Sequence, residues 1–546
     1  MLDKAVIAPF SRLRIRLLED KDLSRQAYAS LVGAGVALFT LVLYLRTLAP
    51  TVLPIEFPYL ADSPMLQMQA CVLGIPHPTG YPTYLMLTHL FTYLPFGDCA
   101  YRVNLASAAY ASSAVLLVFV AGLSLSRRVV AAVAAALAFG IGSTFWSQAV
   151  IAEVYTLNAL FVALVLVVLL VWRERRRDRY LLLAAFCVGL SATNHMTAGL
   201  LLPATLLFVA MADWRKLVDS RLVLKGIGLF LLGLTPYLYL PIRASMDPPF
   251  ANNNPTSLER FWWLVSGGDL HGSLFRFGPT ELPGRTVLYV DHLTSNFSWW
   301  LLAAGVMGLV AILMRDRAVA LLLGFLFFGW LLFALEDAIP DVAVYFIPTY
   351  LVLSLWIAVG LGLAMEKAEA LISEWRQTAK AVALGALSVA LLLLPLAGVG
   401  KTYGQNDMSR DYQGQKIIDE VAKSAAPNAT ILQHRSELWY MVLVEKRRRD
   451  LTLVDPFSHD TKIRYASIVW PDDDIGLKTM NRRYGTNDLT GVTAAKKAAS
   501  KGPVYVLDQQ GIDLSGFRAA GFEMVRLTGA LFELNPPGSD HHASGR

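Results

Sequence analysis

Residues 27–45 read AYASLVGAGVALFTLVLYL, nineteen residues without a charged side chain. An α-helix rises about 1.5 Å per residue, so this run can cross the roughly 30 Å hydrocarbon core of a bilayer. Further long apolar runs follow at residues 103–125, 129–150, 154–172, 181–211, 222–241, 297–314, 318–335, 343–365 and 381–399. The sequence therefore predicts an all-α polytopic membrane protein.

The composition and the placement of charge agree with this class. Hydrophobic residues make up 55% of the 546-residue chain and charged residues 16%, against about 25% charged residues in soluble domains. The mean hydropathy is +0.47. The net charge of +6 does not indicate a nucleic-acid partner, because the basic residues cluster in short connectors between the apolar runs, at 127–128, 173–179, 215–216, 315–317 and 367–380.

Basic connectors mark the cytoplasmic side of a membrane protein. The N-terminal residues 1–26 are also basic, and we expect them to be cytoplasmic, with residues 27–45 as an uncleaved signal anchor. All the basic connectors fall inside if residues 181–211 cross twice, turning near Asn194 and His195. About eleven transmembrane helices result. The extracytoplasmic stretches are then 47–102, 243–296, 336–342 and everything after residue 400.

The chain changes character near residue 400. Residues 27–400 form the predicted transmembrane domain, whereas residues 401–546 have ordinary charge density and no spanning run. The tail predicts a small extracytoplasmic α/β domain. Its expected helices are 409–425 and 436–446, and its expected strands are 429–433, 451–454, 504–507, 522–527 and 530–534. A role in acceptor binding and a structural or docking role are equal alternatives for it.

The outer loop 47–102 is too long to be a plain connector. It contains eight prolines and an apolar stretch, Tyr84–Leu94, and that stretch predicts a helix lying at the membrane interface. Cys71 and Cys99 also lie in this loop. We expect them to be unpaired small apolar residues, with a disulfide between them as the alternative.

The polar candidates in this loop are Asp62 and His77, the second within the turn-rich stretch GIPHPTGYP at 74–82. A carboxylate at a membrane surface can act as general base for an attacking hydroxyl, and His77 could orient a phosphate or share the proton. The alternative for Asp62 is a structural one. An aspartate before Ser63-Pro64 is also a good helix N-cap.

Other polar residues fall on the same outer face by this topology. Ionisable groups at membrane depth are costly and often functional. The candidates are Glu153 with Tyr155 after the third run, Asn194 and His195 at the predicted turn, Arg243 at the end of a run, and Asp341. Arg243 could pair with a lipid phosphate or simply snorkel to the interface. Together they suggest one cavity at the outer leaflet.

The sequence contains no Walker loop, paired CxxC, HExxH or GxSxG motif. This argues against an ATP-driven pump, a structural zinc site and an α/β-hydrolase. The sequence therefore identifies no cofactor with certainty, and a divalent metal is an open alternative. The energy for any reaction must come with the substrate or from a gradient, and a lipid-phosphate-linked sugar carries its own leaving group.

Several motifs in order resemble a known family. They are Leu48–Val52 with Asp62 and Leu73–Pro82, Arg102–Leu105, Trp146–Asn158 with Gly189, Leu190, Asn194 and His195, and Tyr239–Arg243 with 247–249, with a weaker match at Asp341 and Tyr345–Pro348. Over roughly residues 45–350 the chain resembles bacterial and eukaryotic membrane proteins long filed as a domain of unknown function. That family belongs to the GT-C superfamily of glycosyltransferases and includes an animal protein O-mannosyltransferase of the secretory pathway.

This resemblance implies a GT-C fold, a catalytic acid in the first outer loop, and a polyprenyl-phosphate sugar as donor. It also implies inverting transfer to an acceptor on the outer side. Asp62 matches the family's acidic position, and Arg243 and His77 would hold the donor phosphate. Glu153, Tyr155, Asn194, His195 and Asp341 would bind the sugar or the acceptor. The chain departs from the common Asp-x-x-Glu pattern, since Met65 replaces the glutamate and Glu56 is out of register.

Three functions follow for comparison with the structure. The first is a hexosyltransferase, for a mannose-like sugar, acting on a protein or a lipid-linked glycan at a bacterial plasma membrane. The second is a proton-coupled transporter or lipid flippase, which predicts acids in mid-span and inverted repeats. The third, which Met65 suggests, is an inactive scaffold descended from the enzyme.

Overall fold

The computed structural model describes residues 23–55, 62–251, 254–268, 271–455, 467–468, 491–509 and 512–537. Most of the predicted cytoplasmic N-terminus, and Glu56, lie outside these residues. The helices of the membrane body are α1 Leu23–Thr47, α2 Ser63–Val72, α3 Pro82–Phe91, α4 Cys99–Ser126, α5 Val129–Gly140, α6 Ser143–Ala149, α7 Tyr155–Arg175, α8 Asp178–Ala192, α9 Leu201–Asp213, α10 Arg215–Val218, α11 Ser220–Gly233, α12 Tyr239–Ser245, α13 Leu258–Val265, α14 Leu282–Asn296, α15 Trp299–Arg315, α16 Arg317–Glu336, α17 Ile347–Leu371, α18 Gln377–Leu396 and α19 Val399–Asn406. Three 3₁₀ helices, Met196–Leu200, Thr235–Leu238 and Val342–Phe346, join them.

All the predicted apolar runs are helical. Within the described residues, eight helices are long and apolar enough to cross a membrane, and two bent pairs raise the number to ten. The fifteen-residue α8 is separated from α9 by a turn at 193–195, where the sequence predicts the chain to reverse. The predicted helical class is thus confirmed, and eight to ten candidate spans among the described residues stand against the predicted count of about eleven.

Local sequence sets where several helices begin. Asp98 precedes α4 and its side chain accepts a hydrogen bond from the Tyr101 amide at 2.7 Å. Asp316 does the same for α16, accepting from the Val319 amide at 3.1 Å. Such N-caps satisfy amides that have no partner within the helix.

Small residues allow the interior helices to approach closely. Gly308 of α15 faces α17, and a Cβ there would lie 1.8 Å from the Trp356 carbonyl oxygen; one at Gly360 would lie 1.8 Å from the Ala304 carbonyl oxygen. Close backbone packing through small residues is how membrane helices associate without a hydrophobic driving force. This contact holds α17, the most buried of the spanning helices. The segment that carries Asp341 comes directly before α17 in the chain.

The tail forms the predicted α/β domain. Its five-stranded sheet has the order β3-β2-β5-β7-β6, parallel between β2 and both of its neighbours and antiparallel elsewhere. The strands of the chain are β1 Phe250–Ala251, β2 Thr430–Leu432, β3 Thr452–Val454, β4 Ser467–Ile468, β5 Val504–Leu507, β6 Glu523–Arg526 and β7 Leu531–Asn535. The helices are α20 Gln413–Ser424, α21 Leu438–Leu443, α22 Gly491–Ala499 and α23 Ser515–Ala519. The predicted strands and both predicted helices are present, and α22, α23 and β4 were not foreseen.

This domain packs directly on the outer loop of the membrane body. Met65 and Met68 of α2 share a buried apolar cluster with α21. The Phe250 ring lies 5.3 Å from the Trp439 ring. Strand β1, from the membrane body, pairs with β4 of the tail. The two parts therefore meet at α2, the helix that Asp62 precedes.

The expectation of unpaired cysteines in the outer loop is wrong. Cys71 and Cys99 form a disulfide with a Cα–Cα distance of 6.2 Å. The reason is packing that the sequence did not reveal. Helix α2 lies against α4, where the Gln67 side chain donates to the Asn104 side chain at 2.9 Å, and this brings the end of α2 to the start of α4.

Candidate active site

Asp62 is at the N-cap position of α2, but its side chain makes no capping hydrogen bond. One carboxylate oxygen lies 3.5 Å from the His77 Nε2, and the other lies 3.5 Å from an Arg435 guanidinium nitrogen. The carboxylate is thus turned towards polar groups of two other segments, away from the helix amides. The geometry favours the functional interpretation of Asp62 over the capping alternative.

The proline-rich loop fixes His77 beside Asp62. Gly80 has a φ of +84°, a left-handed conformation that glycine adopts without strain, and its amide donates to the His77 carbonyl at 2.8 Å. The Tyr81 hydroxyl donates to the Pro78 carbonyl at 2.9 Å and lies 3.3 Å from the His77 Nε2. The sequence predicted the turns but not the contact with Tyr81.

Two of the family motifs have a structural role here. The Asn104 side-chain amide donates to the Ala49 carbonyl at 3.0 Å, and the Leu53 amide donates to the Gln67 side chain at 3.0 Å. Arg102 donates to the Leu94 carbonyl at 2.7 Å. The first two bonds are buried and hold residues 49–53 against α2 and α4, while the Arg102 bond ties the start of α4 to the segment after α3.

Glu153 lies in the connector between α6 and α7, close to the start of α2. It is 6% exposed, and one of its carboxylate oxygens accepts from the Ser63 hydroxyl at 3.4 Å. Burial raises the pKa of Glu153 well above its ordinary value, and the negative charges of Asp62 and Asp341 raise it further. The surroundings of Glu153 therefore favour the neutral form of its carboxyl group more than water does.

Asp341 lies on the same side, immediately before the 3₁₀ helix that leads into α17. Burial raises the pKa of Asp341 to about 7, and the charge of Asp62 contributes next. The Tyr155 hydroxyl donates to its carboxylate at 3.5 Å. The charge of Asp62 acts on both Glu153 and Asp341, so we treat these three acids as one acidic cluster.

Aromatic rings line this region. The His195 ring lies 5.4 Å from the Tyr155 ring and 5.6 Å from the Tyr345 ring, and it stacks at 6.4 Å on the Tyr81 ring. Burial lowers the pKa of His195 to about 4, and its Nδ1 lies 2.7 Å from the Thr197 hydroxyl oxygen. His195 is therefore a neutral ring within an aromatic wall.

Asn194 and Arg243 have positioning contacts. The Asn194 amide donates to the Val154 carbonyl at 3.4 Å, which ties the turn to the connector of Glu153. Arg243 donates to the Leu73 and Val72 carbonyls at 2.7 and 3.3 Å, at the end of α2. This contact was not foreseen, and the phosphate-binding role of Arg243 remains a prediction.

The main residue that the sequence analysis missed is Arg435. Arg435 follows β2. The polar run Gln433–Glu437 after a predicted strand could have indicated a functional segment here. Glu437 is also buried, at 1% exposure, and burial raises its pKa to about 7.

Within the described part of the chain, no group of three or more histidine, cysteine or acidic side chains is arranged to hold a metal ion.

Comparison with known proteins supports this picture. The family described as Protein O-mannosyl-transferase TMEM260 N-terminal domain matches residues 62–218. The chain is 32% identical to Protein O-mannosyl-transferase TMEM260 of Mus musculus over 219 residues, covering 39% of this chain and 31% of the relative. It is 22% identical to the Dictyostelium discoideum protein of the same description over 452 residues, covering 72% and 54%. The matches thus span about a third and about half of these two relatives.

Solved structures show the same fold over nearly the whole chain. The structure of ArnT from Cupriavidus metallidurans bound to undecaprenyl phosphate has a TM-score of 0.58 at 14% identity, covering 92% of this chain and 97% of that one. The Archaeoglobus fulgidus oligosaccharyltransferase has a TM-score of 0.50 at 13% identity, covering 89% and 70%. The resemblance predicted from the motifs is confirmed: this is an integral membrane protein of GT-C fold, whose residues 62–218 match the TMEM260 N-terminal domain.

Proposed function

We propose that the protein is an inverting membrane glycosyltransferase that moves a sugar from a polyprenyl-phosphate donor to an acceptor hydroxyl. Mannose or a similar hexose is the proposed sugar, and a protein or a lipid-linked glycan is the proposed acceptor. The single observation that supports this best is the orientation of Asp62, whose carboxylate faces His77 and Arg435 instead of capping α2.

The proposed reaction assigns the proton transfer to Asp62. The acceptor oxygen attacks the anomeric carbon of the sugar while Asp62 accepts its proton as general base. The bond between that carbon and the phosphate oxygen breaks, and the polyprenyl phosphate leaves with the electron pair. Negative charge grows on the departing phosphate, and a fixed cation nearby stabilises that transition state. His77, within 3.5 Å of Asp62, is placed to share the proton or contact the phosphate.

The other candidates would bind the sugar. Protein sugar and ligand sites combine aromatic walls with a few polar groups. Tyr155 and His195 would provide such a wall, while the carboxyl groups of Glu153 and Asp341 would hydrogen-bond to sugar hydroxyls. The donor class is supported by the ArnT structure, which was solved with undecaprenyl phosphate, and the sugar by the name of the mouse relative.

The location of the acids argues against the transporter alternative. Glu153 lies in the connector between α6 and α7, and Asp341 lies between α16 and α17, whereas a proton relay is expected in mid-span. We propose that these connectors and the α/β domain face the extracytoplasmic side of a bacterial plasma membrane. The proposed side of the residues after 400 follows from the basic connectors, which mark the cytoplasmic side of a membrane protein.

The test is sugar transfer by the purified protein in liposomes. Labelled polyprenyl-phosphate mannose, polyprenyl-phosphate glucose and a nucleotide-linked mannose are each supplied with membrane-protein and glycolipid acceptors. We expect transfer from a polyprenyl-phosphate sugar and none from the nucleotide sugar. Transfer from the nucleotide sugar alone would refute the donor class, and proton-coupled uptake without any transfer would favour the transporter.

A further inference from the structure

The parallel part of the C-terminal sheet ends beside Asp62. Strands β2, β3 and β5 run parallel, so their carboxyl ends lie at one edge, the edge where α/β sheets bind ligands. Polar residues follow each of the three strands. They are Gln433 to Arg435 after β2, Asp455 after β3, and Asp508 and Gln509 after β5.

Hydrogen bonds across this edge hold Arg435 in place. Asp455 accepts from the His434 ring at 3.0 Å and from the Arg435 backbone amide at 3.0 Å. The Gln509 side-chain oxygen accepts from the His434 backbone amide, and the Gln509 side-chain nitrogen donates to the His434 carbonyl. Arg435 itself has a φ of +44°, a left-handed conformation uncommon for residues other than glycine and often retained at functional sites.

The conformation directs the Arg435 side chain out of its own domain. Its guanidinium reaches Asp62, 373 positions earlier in the chain, at 3.5 Å. The side chain is 23% exposed and that of Asp62 is 27% exposed, so the pair is partly desolvated. An ion pair at the surface contributes little to stability. The pair of Arg435 and Asp62 matters for its position, because it connects the two domains at the candidate base.

An anionic donor phosphate close to the Asp62 carboxylate would need a cation beside it to offset the repulsion between the two negative charges. Asp62, Glu153 and Asp341 lie on this side, and Arg243 donates to the carbonyls of Val72 and Leu73. Among the described residues, Arg435 is the arginine in direct contact with Asp62. Arginine presents a planar fork of donors that matches a phosphate.

We propose that Arg435 binds the phosphate of the lipid donor, so that the C-terminal domain supplies part of the active site. The inference rests on the proposed function. When the phosphate binds the guanidinium group, Arg435 no longer pairs with Asp62. The Asp62 carboxylate then becomes a stronger base for the acceptor hydroxyl. The docking of α21 on α2 then has a catalytic purpose, because it sets the distance between Arg435 and Asp62.

The test is direct binding of a short-chain polyprenyl monophosphate, without sugar, by the detergent-solubilised full chain. The variants are Arg435→Gln, Arg435→Lys, Asp62→Asn and the control Arg447→Gln. Arg447 belongs to the same domain and pairs with Asp419 and Glu445. Thermal unfolding of each variant verifies that it is folded.

We expect Arg435→Gln to weaken binding about 10- to 100-fold, the value of a charge-assisted hydrogen bond. Arg435→Lys should lose less, since it keeps the charge, and Arg447→Gln should bind like wild type. Asp62→Asn should bind at least as tightly as wild type, because it removes the competing carboxylate. A residue that merely positioned Asp62 would not give this pattern.

The outcomes separate the two proposals. Binding by wild type with an unchanged dissociation constant in folded Arg435→Gln would overturn the role of Arg435 and leave the proposed function standing. No binding of polyprenyl phosphate by wild type would overturn the donor class and, with it, this role of Arg435. Weakened binding in Arg435→Gln, with wild-type binding in Arg447→Gln, supports the proposal.

Discussion

Met65 stands where the family resemblance implies a second acid, and its environment predicts what would follow from introducing a glutamate there. The side chain is 4% exposed and lies in the apolar cluster between α2 and α21. Met65→Glu would lose about 2 kcal/mol of apolar burial. At pH 8 the buried carboxyl, with a pKa raised as in Glu437, would add about 3 kcal/mol. The expected loss of interface stability is about 5 kcal/mol.

Hydrogen exchange of the α21 amides at pH 8 measures this loss, because the docked helix is protected only while the interface is closed. Met65→Leu is the matched control and should cost less than about 1.5 kcal/mol. Faster exchange in Met65→Glu, with near-normal exchange in Met65→Leu, is the expected result. Unchanged exchange together with faster sugar transfer in Met65→Glu would refute the reasoning and show that the protein lacks a needed acid.

Three further predictions concern positions around the site. Because the folded pKa of Glu437 is about 7 and thus above the unfolded value, the folded state loses stability as pH rises from about 4.5 through 7. Glu437→Gln should therefore stabilise the protein by about 3 kcal/mol at pH 8 and by under about 1 kcal/mol at pH 5; an equal gain at both in denaturant unfolding would contradict this. Cys99→Ser should lose about 3.5 kcal/mol, from the 28-residue separation of the disulfide, and its melting temperature should not respond to reductant, whereas that of the wild type falls. Arg243→Gln should lower stability by about 2 kcal/mol through its lost carbonyl bonds, and unchanged stability in denaturant unfolding would contradict this. A raised donor KM in the same variant would support the predicted phosphate-binding role of Arg243, and an unchanged KM would oppose it.

The transmembrane architecture could be predicted from the sequence because its cause is local. A run such as 27–45 must be helical in lipid whatever it packs against, and basic connectors fix the side of each turn. The same rule predicts that Glu153 and Asp341 lie on the side of Asp62, and the structure places both in connectors between helices. The strands of the tail were likewise visible as short apolar runs.

The contacts between distant segments could not be predicted in this way. The Cys71–Cys99 disulfide depends on how α2 packs on α4. The contact of Arg435 with Asp62 depends on how a whole domain docks. Neither is encoded in a periodicity or a spacing. The distinction between a cap and a base at Asp62 also required coordinates, since it depends on the direction of one side chain.

The measurement that tests the central claim most directly compares sugar transfer from polyprenyl-phosphate mannose by wild type, Asp62→Asn and Asp98→Asn. Asp98 is a matched control, because it is the N-cap of the next long helix in the same loop and does make the capping hydrogen bond; asparagine caps equally well. If Asp62 is the general base, Asp62→Asn slows transfer about 10²- to 10⁴-fold, while Asp98→Asn remains near the wild-type rate. Transfer by Asp62→Asn at the wild-type rate would contradict the account.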